Sequence, residues 1–584
     1  MPEFLRASDY RTDIDGLRAL AVIPVIAFHS GFMPNGYLGV DVFFVISGFL
    51  ITGIIYRKLQ AGDFSLVDFY LRRTRRIIPL SLFVSAICLP IGLLTMLPDD
   101  LENLSQSVVA TSLFANNVLQ SITTRDYWDV VNEYKPLMHT WSLGVEEQYY
   151  LVYPFLFLAL GHARRKLLAP FLVLATAASF GLFLGPFDDF QKFYWIPFRF
   201  FELSLGGLAA IYLNGRVVEH PATAIFPVGL LALMVVPSGV VSPEVSLVSS
   251  VLLSAGVVAS ANSSSRVASL LLSNPISVWT GKISFSLYMW HQPVLAFARY
   301  AWVQEFEPEH LVVLSALTLG LSVLTYVFVE QPFRNKQRVG TGTLLAVLGA
   351  GTLVANAGAL YLYANAGVWK DIPELAITRG EVVRNQHALY NDRIHQYDRD
   401  FVDDGRLKVL VVGNSFARDW ANILLESRYA ERLQISYIYN PKADSPVAER
   451  AAEADVFFWG TPSREKVLQF DVDPDALWAV GTKNFGTNNG IFYNYRGDDY
   501  LEQRTSMQAG TVDENDELRR IWGDRYLDYI ELVIDHDGRV PVFTPDGMFI
   551  SQDTRHLTRA GARYFAAHFD ARLASILDLP AGSD

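Results

Sequence analysis

The strongest constraint on this chain is a succession of apolar stretches that fills it as far as Tyr363. Each is close to the roughly 20 residues a helix needs to cross a bilayer. They run Leu17–Met33, Gly36–Tyr56, Ile77–Leu97, Leu104–Gln120, Leu143–Leu160, Leu167–Leu184, Phe193–Leu213, Ala222–Pro237, Val245–Ala261, Ile283–Trp302, Leu311–Val329 and Thr341–Tyr363. Segments of this kind have to satisfy their backbone polar groups internally, which leaves packed helices as their fold. Leu104–Gln120 differs from the others, because Ser105, Gln106, Ser107, Asn116 and Asn117 are costly against lipid. Basic loops decide whether it spans, since Lys and Arg gather on the cytoplasmic side. If it does not, Arg6, Arg11, the loop from Tyr56 to Arg76, "HARRK" (162–166), "NGRVVEH", Arg266, Lys282 and "FRNKQR" (333–338) all fall on one side. The acidic loops "PDDLEN", "PFDDF" and "QEFEPEH" then share the other side. This reading predicts eleven spans, a cytoplasmic amino terminus and everything after Tyr363 outside. The polar opening "MPEFLRASDYRTDIDG" before a long apolar run is read as an uncleaved start.

Composition agrees with a membrane protein that carries a soluble part. Apolar residues make up 51% of the 584 and charged residues 18%, and the mean hydropathy is +0.22. A net charge of -12 argues against nucleic acid as a partner. The lone Cys88, inside an apolar run, excludes disulfides within the chain and cysteine-rich metal sites, and no metal is expected.

Past Tyr363 the hydrophobic runs shrink to strand length: "LKVLVVG", "ISYIY", "DVFFWG" and "ALWAVG". They alternate with helix-like stretches such as "FARDWANILLESRYAERL", the pattern of an α/β domain with a mainly parallel sheet, here placed at 398–584 behind a linker at 364–397. In such a sheet reactive groups gather at the carboxyl ends of strands. Ser415 follows "VLVVGN" directly. A serine hydroxyl needs a base, and the base needs an orienting carboxylate. Asp553 and His556, three residues apart near the end of the chain, supply both types. Each piece has a structural alternative, a Gly-Asn-Ser turn in one case and a helix cap in the other. Together they resemble the SGNH hydrolase family, over about 180 residues. The resemblance implies Ser415 as nucleophile, His556 as general base and Asp553 as its partner, with Gly413-Asn414-Ser415 in place of the usual Gly-Asp-Ser. Gly481 and Asn484, in "VGTKNFGTNNG", are candidates for an oxyanion hole, with a structural turn as the alternative for Asn484.

The apolar part carries its own polar residues. Arg18 and His29 lie eleven positions apart, about 16 Å of helix, and share a face. Asp41 opens the second span. Arg72, Arg73, Arg75 and Arg76 stand at a cytoplasmic mouth, where they serve as topology signals or hold the phosphates of an acyl carrier such as coenzyme A. "HTWSLGVEEQYY" brings His139, Glu146 and Glu147, and "SLYMWHQP" brings Trp290 and His291. Ionisable residues inside spans mark functional sites by default. These strings, with "GVDVFFVISGFLI" and "VEQPFR", resemble the acyltransferase-3 family of membrane acyltransferases across residues 8–338, with 341–363 as an additional span. That resemblance implies acetyl-CoA or a related thioester as cytoplasmic donor and an essential role at His29. Arg18, Asp41, His139, Glu146 and His291 are then supporting residues.

The fusion resembles bacterial O-acetyltransferases that modify surface polysaccharide, notably lipid-linked lipopolysaccharide O-antigen. It implies an inner-membrane, multi-pass enzyme with its last domain in the periplasm. Alternatives are a peptidoglycan or exopolysaccharide acceptor, an SGNH-like domain acting as an esterase, and a proton-coupled transporter with an accessory domain.

Overall fold

Helices that pack inside a bilayer gain little from excluding water from one another, so small residues that let backbones approach become decisive. The computed structural model of the chain describes residues 3–6, 10–123, 132–160, 167–237, 239–260, 265–301, 306–380, 386–495 and 497–580. It divides into one unit of Met1–Leu94 with Asn103–Tyr361 and a second of Thr95–Glu102 with Leu362–Asp584.

In the first unit, helix Gly39–Ala61 crosses helix Ile196–Leu213 at two glycines. A Cβ on Gly48 would fall 1.7 Å from the Leu203 carbonyl oxygen, and one on Gly206 would fall 2.1 Å from that of Val45. A second pair, Gly16 against Leu272 and Gly281 against Asp15, brings helix Thr12–His29 equally close to its neighbours, at 1.8 Å in each case.

Among the described residues five helices are long and apolar enough to cross a membrane: Gly36–Ala61, Leu66–Thr95, Asp189–Leu213, Pro308–Arg334 and Thr341–Ala364. Leu168–Leu184, Pro221–Val235 and Pro243–Ala259 are shorter apolar helices. The sequence predicts eleven spans. Thr12–His29, Trp141–Leu160 and Ser284–Ala301 are helices as expected, but they spend positions on Asp13, Asp15 and Arg18, on Glu146 and Glu147, and on His291 and Arg299. Those groups lower their apolar content below that of an ordinary span. Leu104–Gln120 is no single helix. It is split between Pro98–Ser112 and Asn116–Thr123, with Phe114 at a left-handed φ of 54° between them. Its polar residues find protein partners, as Asn116 donates to the Leu137 carbonyl at 2.9 Å and Asn117 to that of Tyr194 at 3.0 Å. The basic loop 162–166 lies outside the described residues.

The second unit is built on a five-stranded parallel sheet, in spatial order Leu433–Tyr439, Leu407–Gly413, Val456–Gly460, Trp478–Val480 and Tyr526–Leu527. The continuous apolar run of its interior strand Leu407–Gly413 reflects burial on both faces. Val409 and Val411 enter one core with Trp420 and Phe565, while Leu410 and Val412 enter another with Trp459 and Trp522. A separate antiparallel pair joins Arg504–Ser506 to Arg539–Pro541. The region assigned to a linker is partly built into this unit, for helix Gln386–Asp392 leads into a turn whose Ile394 is fully buried in the first core.

The glycine crossing makes a specific prediction. Gly48→Leu is expected to abolish the folded, monodisperse protein seen by size-exclusion chromatography in detergent. Gly320→Ala, at a helical glycine with open space around it, is expected to leave that peak unchanged.

Candidate functional site

At the end of strand Leu407–Gly413, Gly413 takes φ 134°, which turns the backbone into helix Ser415–Glu426. Asn414 caps that helix, its Oδ1 accepting from the Phe416 N–H at 3.0 Å while its Nδ2 donates to Thr461 Oγ1 at 2.9 Å. Ser415 is therefore the first helical residue, where the backbone N–H has no acceptor within the helix and is available to an oxyanion.

The other two residues come from the loop that precedes helix Arg559–His568. His556 Nε2 lies 2.9 Å from Ser415 Oγ, and His556 Nδ1 lies 2.5 Å from Asp553 Oδ2. Asp553 Oδ1 also accepts from the backbone N–H groups of His556 at 2.7 Å and Arg555 at 3.0 Å. Serine, histidine and aspartate thus stand in the geometry of a hydrolase triad. Burial pushes the His556 pKa down, and Asp553 opposes that only in part. Burial alone would raise Asp553, yet the charges and hydrogen bonds of His556, with His387 nearby, hold it well below the usual carboxylate range.

Gly481 and Asn484 lie in the loop after strand Trp478–Val480. The Gly481 N–H donates to the Leu527 carbonyl at 2.9 Å, and Asn484 Oδ1 accepts from Gly486 at 3.0 Å and Gln508 at 2.8 Å. The Gly486 bond closes a turn, while the other two tie this loop to strand Tyr526–Leu527 and to Gln508. Between Gly481 and Asn484 sits a residue the sequence does not single out. Lys483, fully buried, places Nζ 2.9 Å from Asp419 Oδ2 and 3.8 Å above the Phe416 ring. Asp419 Oδ2 in turn accepts from the Leu557 N–H at 3.0 Å. Asp419 lies one helical turn beyond Ser415 and binds the residue after His556, so one carboxylate fixes both halves of the triad. Its i+4 spacing from Ser415 was the available signal. His387 of helix Gln386–Asp392, which Asn391 Nδ2 approaches to 3.2 Å and whose pKa burial pushes down to about 4, had no such signal.

In the first unit the predicted residues separate into two cavities. One, of about 1000 Å³, is lined by His29, Asp41, His139, Arg199 and Arg299 among others. His291 packs against it, with ring centroids 5.2 Å from those of both His29 and His139. The other, of about 80 Å³, is lined by Arg18, Arg73, Arg76, Ser142 and Glu146. Val40 and Tyr288 line both. Arg18 and His29 share a helix but face different cavities.

The four clustered arginines also part company. Arg73 and Arg76 reach the smaller cavity, whereas Arg72 pairs with Asp68 on its own helix. Arg75 donates to the carbonyls of Phe333 at 3.0 Å and Val339 at 2.7 Å, which ties its helix to the segment before the last span. Glu146 accepts from the hydroxyls of Ser47 and Tyr150. Asp41 pairs at 2.9 Å with Arg199, which also pairs at 2.8 Å with Glu202. Neither Arg199 nor Glu202 is singled out by the sequence. Glu330 is turned inward by a π-helical segment at Tyr326–Glu330, where it accepts from Ser286 at 2.8 Å and pairs with Arg334 at 2.5 Å. Among the described residues no group of three or more His, Cys, Asp or Glu side chains is arranged to hold a metal ion.

The sequence profile of the acyltransferase-3 family, described as an acyltransferase domain, matches residues 11–327, more than half of the chain. The chain belongs to this family. Its relatives include proteins named O-acetyltransferase OatA from Staphylococcus aureus strains NCTC 8325 / PS 47 and COL. Each is 28% identical over 358 residues, which cover 56% of this chain and 58% of the relative. The chain thus spans 58% of the length of these curated relatives. No solved structure matches. This acyltransferase-3 member therefore carries both cavities inside the matched region, while the Ser415 triad lies beyond it.

With neutral His556 as the expected base, its lowered pKa predicts that esterase activity of the full chain on p-nitrophenyl acetate persists below pH ~6.5, the ordinary histidine value. Lys483 lowers that pKa further and Asp419 raises it. In Lys483→Met the uncompensated Asp419 favours the imidazolium, so the acid limb of the pH–rate profile moves up. An unmoved limb would return Lys483 to packing.

Proposed function

We propose that the chain is a membrane O-acyltransferase that moves an acyl group, acetyl in the simplest case, from cytoplasmic acyl-CoA to a hydroxyl of a surface polysaccharide such as lipid-linked O-antigen. The observation that carries this reading is the assembled Ser415–His556–Asp553 triad on a chain whose acyltransferase-3 unit separates an arginine-lined cavity from a histidine-lined one. Acyl-CoA is cytoplasmic and finished glycan is not, so a donor site and an acceptor site on opposite faces suit the task. On this account the enzyme sits in the inner membrane with residues 398–584 as a periplasmic, SGNH-like domain.

Arg18, Arg73 and Arg76 present guanidinium groups to the donor, and guanidinium binds phosphate by paired hydrogen bonds. His29 serves acyl transfer at the larger cavity. Ser415 Oγ then attacks the acyl carbonyl as its proton passes to His556 Nε2, the Ser415 N–H faces the developing oxyanion, and the bond to the group that delivered the acyl breaks as the imidazolium gives that departing group its proton. In the second half a sugar hydroxyl gives its proton to His556 and attacks the ester, and Ser415 leaves with a proton returned from the imidazole. Asp553 keeps the ring in the required tautomer throughout. A volume of about 1000 Å³ beside His29 is at the top of the range of small-molecule sites, roughly 300–1000 Å³, and leaves room for an acceptor group as well as an acyl chain.

The test uses the full chain and mass spectrometry of the Ser415 peptide. His29→Ala is expected to lose acylation of Ser415 from acetyl-CoA by at least ~100-fold while retaining acylation by p-nitrophenyl acetate, which reaches the triad directly. Normal loading from acetyl-CoA in that variant would show that the two sites act separately.

A further inference from the structure

The two cavities of the acyltransferase-3 unit are divided by polar groups that the function above leaves without a role. Tyr288 lines both cavities, and its hydroxyl lies 2.6 Å from Ser142 Oγ, where either can donate. Ser142 faces the arginine cavity, one helical turn before Glu146. On the other side the Tyr288 ring packs 5.3 Å from both His139 and His291, and His291 packs 5.2 Å from His29. His291, His139, Ser142 and Tyr288 are each no more than 8% exposed. The carbonyls of Pro136 and Met289 lie near the His139 ring, yet neither of its nitrogens completes a hydrogen bond, and His291 Nε2 has none either.

Burying imidazole nitrogens unbonded is unfavourable, and this holds for both nitrogens of His139 and for Nε2 of His291, whose Nδ1 lies 2.6 Å from the Tyr288 carbonyl. With half-buried His29 they make three rings in a row, ending at a tyrosine–serine pair whose Tyr288 hydroxyl also donates to the His139 carbonyl at 2.8 Å, a column of groups that can each take and give a proton. Centroid spacings of 5.2 to 5.3 Å leave the ring-to-ring steps to rotation or a bridging water, and the Tyr288–Ser142 step is already within hydrogen-bond distance.

Such a column answers a requirement of the chemistry. When an acyl group passes from a thioester to a hydroxyl, the C–S bond breaks and a C–O bond forms. The hydroxyl loses a proton, and the departing thiolate gains one. If the acyl group crosses the membrane and the proton does not, the thiolate is protonated from one face and the hydroxyl proton is shed at the other. Each turnover then separates one unit of charge. The acceptor's proton, which leaves Ser415 through His556, is released to water on the acceptor side, and an equivalent proton taken up in the histidine cavity and passed to the sulfur in the arginine cavity cancels the separation.

We propose that His29, His291, His139, Tyr288 and Ser142 carry this equivalent proton to the leaving thiolate, so that acyl transfer across the membrane is electroneutral. The inference rests on the acyl-transfer reading, and one experiment separates their failures. Full-length protein in liposomes receives acetyl-CoA on the arginine-cavity face at different potassium diffusion potentials set with valinomycin, and the Ser415 ester is counted by mass spectrometry.

The wild-type loading rate is expected to be the same at zero and at 100 mV of either sign. Tyr288→Phe, which removes only the hydroxyl, is expected to load at least ten-fold more slowly and to become dependent on potential. The bound is about 50-fold per 100 mV, the factor for one full charge. Ser142→Ala should behave in the same way, which guards against a folding defect in either variant. A wild-type rate that itself changes with potential overturns the proton path and leaves acyl transfer intact. Absence of any Ser415 ester in the wild type overturns both.

Discussion

Arg199 lies between Asp41 and Glu202, at 2.9 and 2.8 Å, with none of the three more than 2% exposed, and it stacks beside Phe44, Trp141 and Phe193. Removing one partner from such a cluster leaves charge buried without compensation, a loss of about 3–5 kcal/mol. The cluster joins helix Gly39–Ala61 to helix Ile196–Leu213 at the same crossing that Gly48 and Gly206 make close. Backbone contact and charge pairing therefore have to be satisfied together. That combined demand fixes the wall of the larger cavity, since Asp41 and Arg199 line it beside His29 and His139. Polar side chains inside apolar helices here serve both the fold and the chemistry, and the two roles fall on different residues.

The second unit meets a comparable demand with a single carboxylate. A serine at the start of a helix and a histidine in a loop far along the chain have to meet within hydrogen-bond distance. Asp419 holds both, through its own helix and through the Leu557 N–H, and Lys483 balances its charge. Because the balancing ammonium lies under the Phe416 ring and away from the surface, the field at His556 is set by the fold more than by solvent.

Much of this was legible in the sequence. Alternation of strand-length and helix-length runs gave the parallel sheet, and the order of Ser415, Asp553 and His556 pointed to three side chains that the structure joins. Polar residues in "SQSVVATSLFANN" gave the reason that no single helix fills Leu104–Gln120. Three things were not legible. The pairing of Arg199 with Asp41 and of Lys483 with Asp419 becomes visible only when distant segments pack, since pairing at long sequence separation leaves no local pattern. Four neighbouring arginines read as one patch, but helical geometry sends Arg73 and Arg76 one way and Arg72 and Arg75 others. Hydropathy overcounts or undercounts spans wherever a helix buries polar groups, as Ser284–Ala301 does with His291 and Gln292.

The central claim is that an acyl group supplied inside the cell ends as an ester on a glycan outside it. Two-dimensional NMR of surface polysaccharide, from cells that carry the chain and from cells in which only Ser415→Ala replaces it, tests this most directly. The account predicts O-acyl proton and carbon signals, with the downfield shift of one esterified sugar position, in the first sample and their loss in the second. Identical spectra from the two would contradict it.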